Sequence, residues 1–177
     1  MSKFIFGIIG NPGSGKDKLA DILCSRLGFV KIAFADKIKE GFFSNSEYSN
    51  KIFKNSRGTK IEEEIRKGLW DYSKRQKDRF GKRYFINIVL DQIKKSDSRV
   101  VVTDIRDKEE LYAMREINSD LFIIKSYSDG GEDISEIKFP MSEISALPIF
   151  INAFNGDENL YCDFLSFFNN NFSGRTI

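Results

Sequence analysis

The chain contains no histidine at all among its 177 residues. This absence excludes serine–histidine triads, histidine general bases and zinc sites that need imidazole ligands. Only two cysteines are present, Cys24 and Cys162, and they have neither C-x-x-C spacing nor a histidine partner. We therefore expect two reduced thiols in a cytoplasmic protein, not a disulfide-bonded or metal-bound pair.

Long apolar runs are also missing, although 41% of the residues are hydrophobic. No segment reaches the roughly 20 apolar residues that a membrane-spanning helix needs, so we expect no membrane association. The apolar run that begins just after Met1 is typical of a strand, and we expect no signal peptide. The length and composition suit one globular unit, and we predict a single domain over residues 1–177.

The small net charge of +2 is unevenly distributed along the chain. Residues 51–83 hold twelve Lys/Arg against five Asp/Glu, whereas residues 104–177 hold six against fourteen. A cationic middle segment could face the phosphate of a small molecule, a nucleic acid, or solvent alone, which is the default for a charged face.

Residues 10–17 read G-N-P-G-S-G-K-D and directly follow an apolar run. They contain the G-x-x-x-x-G-K pattern of a phosphate-binding loop between a strand and a helix. Its glycines would let the backbone wrap around an anion, and N–H groups of the loop and of the helix start would face the phosphates. We therefore predict an ATP site formed by Gly10, Asn11, Pro12, Gly13, Ser14, Gly15, Lys16, Asp17 and Lys18.

Two residues of this loop have predicted chemical roles. Lys16 would reach the β- and γ-phosphates, which makes it the first catalytic candidate. Asp17 occupies the position where Ser or Thr usually holds Mg²⁺, and we predict it as a metal ligand. The alternative is an ordinary strand-to-helix turn at 11–13, but apolar residues at helical spacing over 19–27 argue against it.

The order of apolar patterns predicts the fold class. Continuous apolar runs typical of buried strands occur at about 3–9, 29–34, 99–104, 121–126 and 148–152. Helical patterns separate them, at about 15–27, 35–43, 107–117 and 157–170. Two more lie between the second and third strands: one starts at Thr59 and is broken at Gly81, and the next carries Phe85, Ile86, Val89, Leu90 and Ile93. This alternation predicts a three-layer α/β/α sandwich on a five-stranded parallel sheet. Together with the phosphate-binding loop after the first strand, it leads us to expect the P-loop NTPase fold. Residues 35–95 would be a helical insertion between strands 2 and 3, with polar loops at 44–58 and 127–140.

The third predicted strand ends in T-D-I-R at 103–106. In open α/β sheets ligands bind beyond the carboxyl ends of the strands, so this segment should lie beside the phosphate loop. Asp104 could hold Mg²⁺ or orient the substrate, and Arg106 could bridge the phosphates and offset developing charge. Both are catalytic candidates, and Asp104 is also a metal candidate. The alternative is structural, with Asp104 or Asp107 capping the next helix.

Together, S-G-K-D at 14–17, F-A-D-K-I-K at 34–39 and T-D-I-R at 103–106 resemble the phage-type deoxynucleoside monophosphate kinases. The segments M-S-E-I at 141–144 and F-I-N at 150–152 are similar to the end of that family. The resemblance implies an adenylate-kinase-like P-loop enzyme that transfers the γ-phosphate of ATP, with Mg²⁺, to a deoxynucleoside monophosphate. It also makes Asp17 less unusual, because the family carries Asp after the P-loop lysine.

The same resemblance implies where the acceptor nucleotide binds. It makes Asp36 and Lys37 substrate-binding candidates and adds Glu143, although Asp36 as a helix N-cap is an equal alternative. The expected lid over 127–147 has one basic residue, Lys138, where the family usually places arginines. We therefore expect the phosphate clamp in the helical insertion, with the candidates Arg66, Arg83 and then Arg79.

Aromatic residues also flank these arginines. They are Trp70, Tyr72, Tyr84 and Phe85, and they could stack on an acceptor base, although core packing is the more usual role. For the final helix we expect packing only, by Phe154, Phe164, Phe167 and Phe168.

Two further functions stay open. One is a nucleotide-binding regulator or ATPase that contacts a nucleic acid through residues 51–83, which we favour less than a small-molecule nucleotide substrate. The other is a related kinase for a different phosphorylated metabolite, such as phosphomevalonate. The sequence does not decide the acceptor base, the sugar or the oligomeric state, and a homodimer is one of the open choices.

Overall fold

The structure, a computed structural model, describes residues 4–126, 139–153 and 156–172. The chain divides into two compact units. The first, which we call the sheet unit, comprises Met1–Ile32 and Ile93–Ile177, and the second, the helical unit, comprises Ala33–Gln92. The helical unit matches the insertion predicted between the second and third strands. The prediction of one domain over the whole chain stays a prediction.

Five strands form one parallel sheet in the sheet unit: β1 (Ile5–Ile9), β2 (Val30–Ile32), β3 (Val100–Val102), β4 (Asp120–Ser126) and β5 (Ile149–Asn152). Their spatial order is β2-β3-β1-β4-β5, so β1 lies between β3 and β4. Gly7 of β1 is opposite both Val102 and Leu121. All five predicted strands are confirmed, and this order brings the ends of β1 and β3 side by side.

The described residues form the helices α1 (Lys16–Leu27), α2 (Phe34–Phe43), α3 (Asn50–Asn55), α4 (Lys60–Phe80), α5 (Tyr84–Lys95), α6 (Lys108–Glu116), α7 (Met141–Ile144) and α8 (Asp157–Asn171). The predicted helices are therefore confirmed to within a few residues. In the ranges that the structure describes, no helix combines the length and the apolar character needed to cross a bilayer.

One face of the sheet is covered by a core rich in phenylalanine, to which α1 and α8 contribute. Phe6 of β1 makes edge-to-face contacts with Phe122 of β4 and with Phe164 and Phe168 of α8. All four rings are almost completely removed from solvent. The packing role predicted for the final helix is confirmed at Phe164 and Phe168, whereas Phe154 lies outside the described residues.

The opposite face of the sheet is covered by α6 and the segment before it. A Cβ atom added at Gly7 would lie 2.8 Å from the Ile105 side chain and 3.4 Å from that of Met114. Both side chains are buried, so they occupy the space that the missing side chain of Gly7 leaves open. Helices therefore flank both faces of the parallel sheet, as predicted for an α/β/α sandwich.

The helical unit has its own small core. Its buried apolar residues include Phe42 of α2, Ile65 of α4 and Phe85 of α5. Tyr72 of α4 lies against Gly41 of α2 so closely that a Cβ there would collide with the tyrosine ring. The ring of Tyr72 also contacts those of Phe42 and Phe85, at centroid distances of 6.2 Å.

The prediction of a polar loop over residues 44–58 is wrong for part of that range, because α3 lies within it. The side chain of Ser49 caps this helix and accepts a hydrogen bond from the Ile52 amide at 3.2 Å. Phe53 contacts Phe43 of α2, with ring centroids 6.2 Å apart. One N-cap and one aromatic contact thus stabilise a single short helix in a segment whose composition is typical of a loop. Of the loop predicted at 127–140, residues 127–138 lie outside the described residues.

Candidate nucleotide-binding site

The loop between β1 and α1 is shaped by close backbone packing. A Cβ added at Gly10 would lie 2.6 Å from the Ser14 hydroxyl oxygen and 2.7 Å from the Ile124 carbonyl oxygen, so only glycine fits there. Gly15 precedes α1 with φ of 91°, in the left-handed region that favours glycine. Within the described part of the chain, no side chain caps α1 at this end. Its first amide N–H groups are therefore available to bind an anion.

Two side chains of the loop point to a phosphate ligand. The Lys16 ammonium donates a hydrogen bond to the Asn11 carbonyl at 2.9 Å and lies folded over the loop. Burial lowers the pKa of Lys16, and the nearby positive charges of Arg106 and Lys31 act in the same direction. The hydroxyl oxygen of Ser14 is buried, and no described residue provides a hydrogen-bond partner for it. A buried hydroxyl without a partner fits a site that a phosphate oxygen completes.

Asp17 is held by Lys31 of β2 and by Thr103, which directly follows β3. Its Oδ1 accepts a hydrogen bond from the Thr103 hydroxyl at 3.2 Å and pairs with the Lys31 ammonium at 2.9 Å. The same ammonium lies 3.2 Å from the carboxylate of Asp21. Partial burial would raise the pKa of Asp17, but the Lys31 and Thr103 contacts outweigh it and hold the pKa below its usual value. The carboxylate is therefore ionised and fixed beside Lys16.

The segment after β3 lies beside the loop, as the sheet topology predicts. Asp104 is buried, whereas Arg106 is exposed. The positive charge of Arg106 lowers the pKa of Lys16, and the negative charge of Asp104 raises it. The structure thus brings together Lys16, Asp17, Asp104 and Arg106, while their catalytic and metal-binding roles stay predictions. The helix N-cap is Asp107, whose side chain accepts from the Glu110 amide at 2.9 Å, so the capping alternative holds for Asp107 and not for Asp104.

The remaining predicted ATP-binding residues differ in their surroundings. Pro12 and Gly13 are exposed, and Asn11 is partly buried. Lys18 forms an ion pair with Asp157 at the start of α8, at 2.8 Å, and both side chains are more than half exposed. Lys18 would have to leave this partner to contact a nucleotide.

The predicted acceptor-binding residues on α2 form local ion pairs within the helical unit. Lys39 contacts Asp36 at 3.1 Å, and Lys37 contacts Glu40 at 2.7 Å. The N-cap of α2 is Ala33, so the alternative that Asp36 caps the helix is wrong. The carboxylate of Asp36 lies instead in the first turn of α2, where the positive end of the helix dipole stabilises a negative charge.

The three candidate arginines have different environments. Arg66 donates two hydrogen bonds to the Glu62 carboxylate, at 2.6 and 2.8 Å, and its guanidinium lies 5.4 Å from the centre of the Phe53 ring. Arg79 lies 4.9 Å from the centre of the Phe80 ring. Arg83 is partly buried just before α5.

Glu143, the last predicted substrate-binding residue, belongs to the sheet unit. Its carboxylate accepts hydrogen bonds from the Tyr112 hydroxyl and the Arg115 guanidinium of α6, and Lys108 lies 3.4 Å away. These partners, with Tyr112 first, lower the pKa of Glu143. The structure thus places Glu143 where it joins α7 to α6.

The aromatic candidates for base stacking separate into packed and exposed residues. Phe85 is buried and Tyr72 contacts it, so packing accounts for both. The ring of Tyr84 stacks on Phe80 at 4.8 Å. Trp70 is 64% exposed, and the Lys74 ammonium lies over its ring at 5.4 Å from the centre. Its exposure makes Trp70 the candidate that a ligand can reach.

Three residues of the site carried no predicted role. Asn152, buried at the end of β5, donates a hydrogen bond to the Ser14 carbonyl at 3.1 Å and ties the loop to the sheet. Lys31 fixes Asp17, and its one sequence signal is a charge inside a short apolar strand. Glu110 contacts the backbone after Asp104, and the capping-box pattern from Asp107 to Glu110 could have identified it.

The residues present fit ATP and Mg²⁺. The loop amides, the Ser14 hydroxyl and Lys16 are donors for phosphate oxygens, and the carboxylates of Asp17 and Asp104 are the hard oxygen ligands that Mg²⁺ prefers. Over the ranges that the structure describes, no group of three or more acidic or cysteine side chains could hold a metal by itself. This is expected for Mg²⁺, which one or two carboxylates bind together with substrate phosphates.

Comparisons with known proteins identify the fold. No protein-family model and no curated protein sequence matches this chain. Dephospho-CoA kinase from Campylobacter jejuni has a TM-score of 0.54 at 17% identity, over 98% of this chain and 100% of that one. Protein TT1252 from Thermus thermophilus has a TM-score of 0.53 at 16% identity, over 98% of this chain and 100% of that one. Shikimate kinase from Aquifex aeolicus has a TM-score of 0.50 at 17% identity, over 97% of this chain and 100% of that one. The predicted fold is therefore confirmed: this chain has the α/β fold of P-loop kinases.

Proposed function

We propose that this chain is an ATP-dependent kinase that transfers the γ-phosphoryl group to a nucleoside monophosphate, a deoxynucleotide in particular, and releases ADP and the diphosphate. One observation carries the proposal. Lys16, Asp104 and Arg106 lie beside a loop in which, among the described residues, nothing pairs with the buried Ser14 hydroxyl and no side chain caps the helix start. The fold shared with solved kinases supports phosphoryl transfer, and the sequence resemblance supports a nucleotide acceptor.

The residues of the loop would bind and orient the phosphates. Backbone N–H groups at the start of α1 and the Ser14 hydroxyl would donate to phosphate oxygens. Lys16 would exchange its bond to the Asn11 carbonyl for one to the phosphates. Arg106 would offset the negative charge that develops on the transferred group. Mg²⁺ held by Asp17 and Asp104 would neutralise charge on the phosphate oxygens.

The proposed reaction needs no strong base from the protein. An acceptor phosphate is largely deprotonated near neutral pH, since its second pKa is about 6, so it can attack without giving up a proton to a side chain. Catalysis then depends on positioning and on electrostatic stabilisation. Both suit a chain that has no histidine.

For the acceptor we propose the cationic and acidic candidates already described: Asp36, Lys37, Arg66, Arg79, Arg83 and Glu143. Two of them have carboxylate partners, Glu40 for Lys37 and Glu62 for Arg66. One partner in each pair is more than half exposed, so solvent screens the attraction and each pair adds little to stability. An acceptor phosphate could therefore replace the carboxylate at small cost.

The test is a coupled assay of ADP release with ATP, Mg²⁺ and each common ribo- and deoxynucleoside monophosphate in turn. Wild type should turn over with at least one of them. Lys16→Ala should abolish turnover, whereas Lys94→Ala, which removes an exposed lysine from the end of α5, should not change it. Phosphate transfer by Lys16→Ala at nearly the wild-type rate would rule the mechanism out.

A nucleic-acid-linked ATPase is the second candidate, and exposed residues of α4 favour it. Trp70 is exposed and Lys74 lies over its ring, and an exposed aromatic ring next to a cation suits stacked bases and a phosphate backbone. This function predicts binding of single-stranded DNA or RNA that weakens steeply with added salt. Absence of binding to any polynucleotide at 50 mM salt or so would dismiss it.

A further inference from the structure

The segment from Thr103 to Asp107, which carries Asp104 and Arg106, is held along its whole length. Thr103 is buried and donates its hydroxyl hydrogen bond to Asp17. Ile105 is buried against the open space at Gly7. Only Arg106 has an exposed side chain between these anchors and the helix cap at Asp107. The direction of its guanidinium therefore depends on what fixes its main chain.

The Glu110 carboxylate fixes that main chain directly. Its Oε2 accepts a hydrogen bond from the Arg106 amide at 2.6 Å and another from the Asp107 amide at 3.2 Å. The longer bond is the ordinary return contact of a capping box. The shorter one lies outside the box, one residue upstream, and helix capping does not require it.

We infer that Glu110 is a positioning residue of the proposed kinase: its carboxylate orients the backbone at Arg106 so that the guanidinium can meet the phosphates. This inference rests on the proposed function. Glu110 has no role in binding substrate itself, because its hydrogen bonds go to backbone amides. It acts only through Arg106.

The surroundings of Glu110 make this contact sensitive to protonation. Burial raises the pKa of Glu110 to about 7, and the negative charges of Asp107 and Asp104 act in the same direction. The two amide hydrogen bonds oppose this rise but do not cancel it. The strong hydrogen bond to the Arg106 amide therefore depends on an ionised Glu110 carboxylate, whose charge is disfavoured by burial and by the neighbouring carboxylates. Protonation near neutral pH would weaken it, because a neutral carboxyl accepts hydrogen bonds less strongly.

Three variants separate positioning from plain helix stability. Glu110→Ala removes both amide contacts, and Glu110→Gln keeps a neutral acceptor that does not titrate. Glu109→Gln is the matched control, since Glu109 is the exposed neighbour in the same turn. We expect Glu110→Ala to lower kcat about tenfold with the KM values for ATP and acceptor within about twofold, because Arg106 acts on charge that develops in the transition state.

A second readout needs no enzymatic activity. In wild type, the amide proton of Arg106 should shift with pH in a ¹⁵N-resolved NMR titration, with a midpoint near 7. Glu110→Gln should remove that step, and in kinetics it should flatten the rise of kcat/KM across the same pH range. Glu109→Gln should keep both. The acceptor phosphate also titrates near this range, so the comparison between variants, not the wild-type profile, is decisive.

The outcomes distinguish the inference from the proposed function. If wild type shows no kinase turnover but the Arg106 amide titrates through Glu110, the contact is real and the proposed function fails. If wild type is active and Glu110→Ala matches Glu109→Gln in kcat and pH profile, the inference is overturned. An Arg106 amide that does not respond to pH between 6 and 8 in folded wild type overturns it as well, and no variant is needed for that result.

Discussion

Replacing Glu110 with glutamine should change how the stability of the protein depends on pH. A glutamate ordinarily has a pKa of 4.5, and burial raises the pKa of Glu110 to about 7 in the folded protein. The folded chain therefore binds this proton more tightly than the unfolded chain does. By linkage, the contribution of Glu110 to the free energy of unfolding falls as pH rises from about 4.5 to about 7, and it stays low above that.

The magnitude follows from the two pKa values. They differ by about 2.5, and each pKa unit corresponds to about 1.4 kcal/mol, so the ionised side chain destabilises the fold by about 3.5 kcal/mol well above pH 7. Glutamine carries no proton to lose. The free energy of unfolding of Glu110→Gln minus that of wild type should therefore increase by about 2 to 3 kcal/mol between pH 5 and pH 8.

The assay is urea unfolding of wild type, Glu110→Gln and Glu109→Gln at pH 5, 6, 7 and 8. Any constant difference from altered hydrogen bonds cancels, because only the change with pH is compared. Glu109→Gln corrects for the loss of one negative charge at the start of α6. Stability curves of wild type and Glu110→Gln that run parallel from pH 5 to pH 8 would refute the assignment of a raised pKa to Glu110.

Two further predictions concern the supports of the phosphate loop. Asn152→Ala removes the side-chain amide that donates a hydrogen bond to the buried Ser14 carbonyl. Urea unfolding should show a free energy of unfolding lower by about 1–3 kcal/mol, and calorimetry should show weaker ATP binding. Unchanged values would show that β5 does not hold the loop. Lys31→Met removes the ammonium beside Asp17, so the pKa of Asp17 should rise in a ¹³C carboxyl NMR titration. Because the pKa of Asp17 is lowered in the folded protein, the free energy of unfolding decreases as pH falls and Asp17 becomes protonated. This decrease should be smaller in Lys31→Met than in wild type, and unchanged in Lys94→Met.

Much of the fold could be predicted because its signals are local. The five apolar runs were long enough, and continuous enough, to identify buried parallel strands. The glycine-rich loop defined the position of the site. Once the strands were known, the rule that ligands bind at their carboxyl ends was enough to place Asp104 and Arg106 beside Lys16.

The parts that could not be predicted depend on contacts distant in sequence. Asn152 and Ser14 are 138 residues apart, and the pairings of β1 with β4 and of β4 with β5 bring them near each other. The contact between Asp17 and Thr103 likewise depends on how the strands are ordered. Helix α3 was missed for another reason, since a six-residue helix has too few turns to show a period.

The central claim is that the loop at residues 10–17 binds the phosphates of ATP, and isothermal titration calorimetry tests it most directly. Wild type titrated with ATP and Mg²⁺ should give a saturable heat of association with one site per chain. Lys16→Ala, shown to be folded by circular dichroism, should give a much weaker one. Folded wild-type protein that shows no heat of association with ATP and Mg²⁺ at several temperatures would contradict the account.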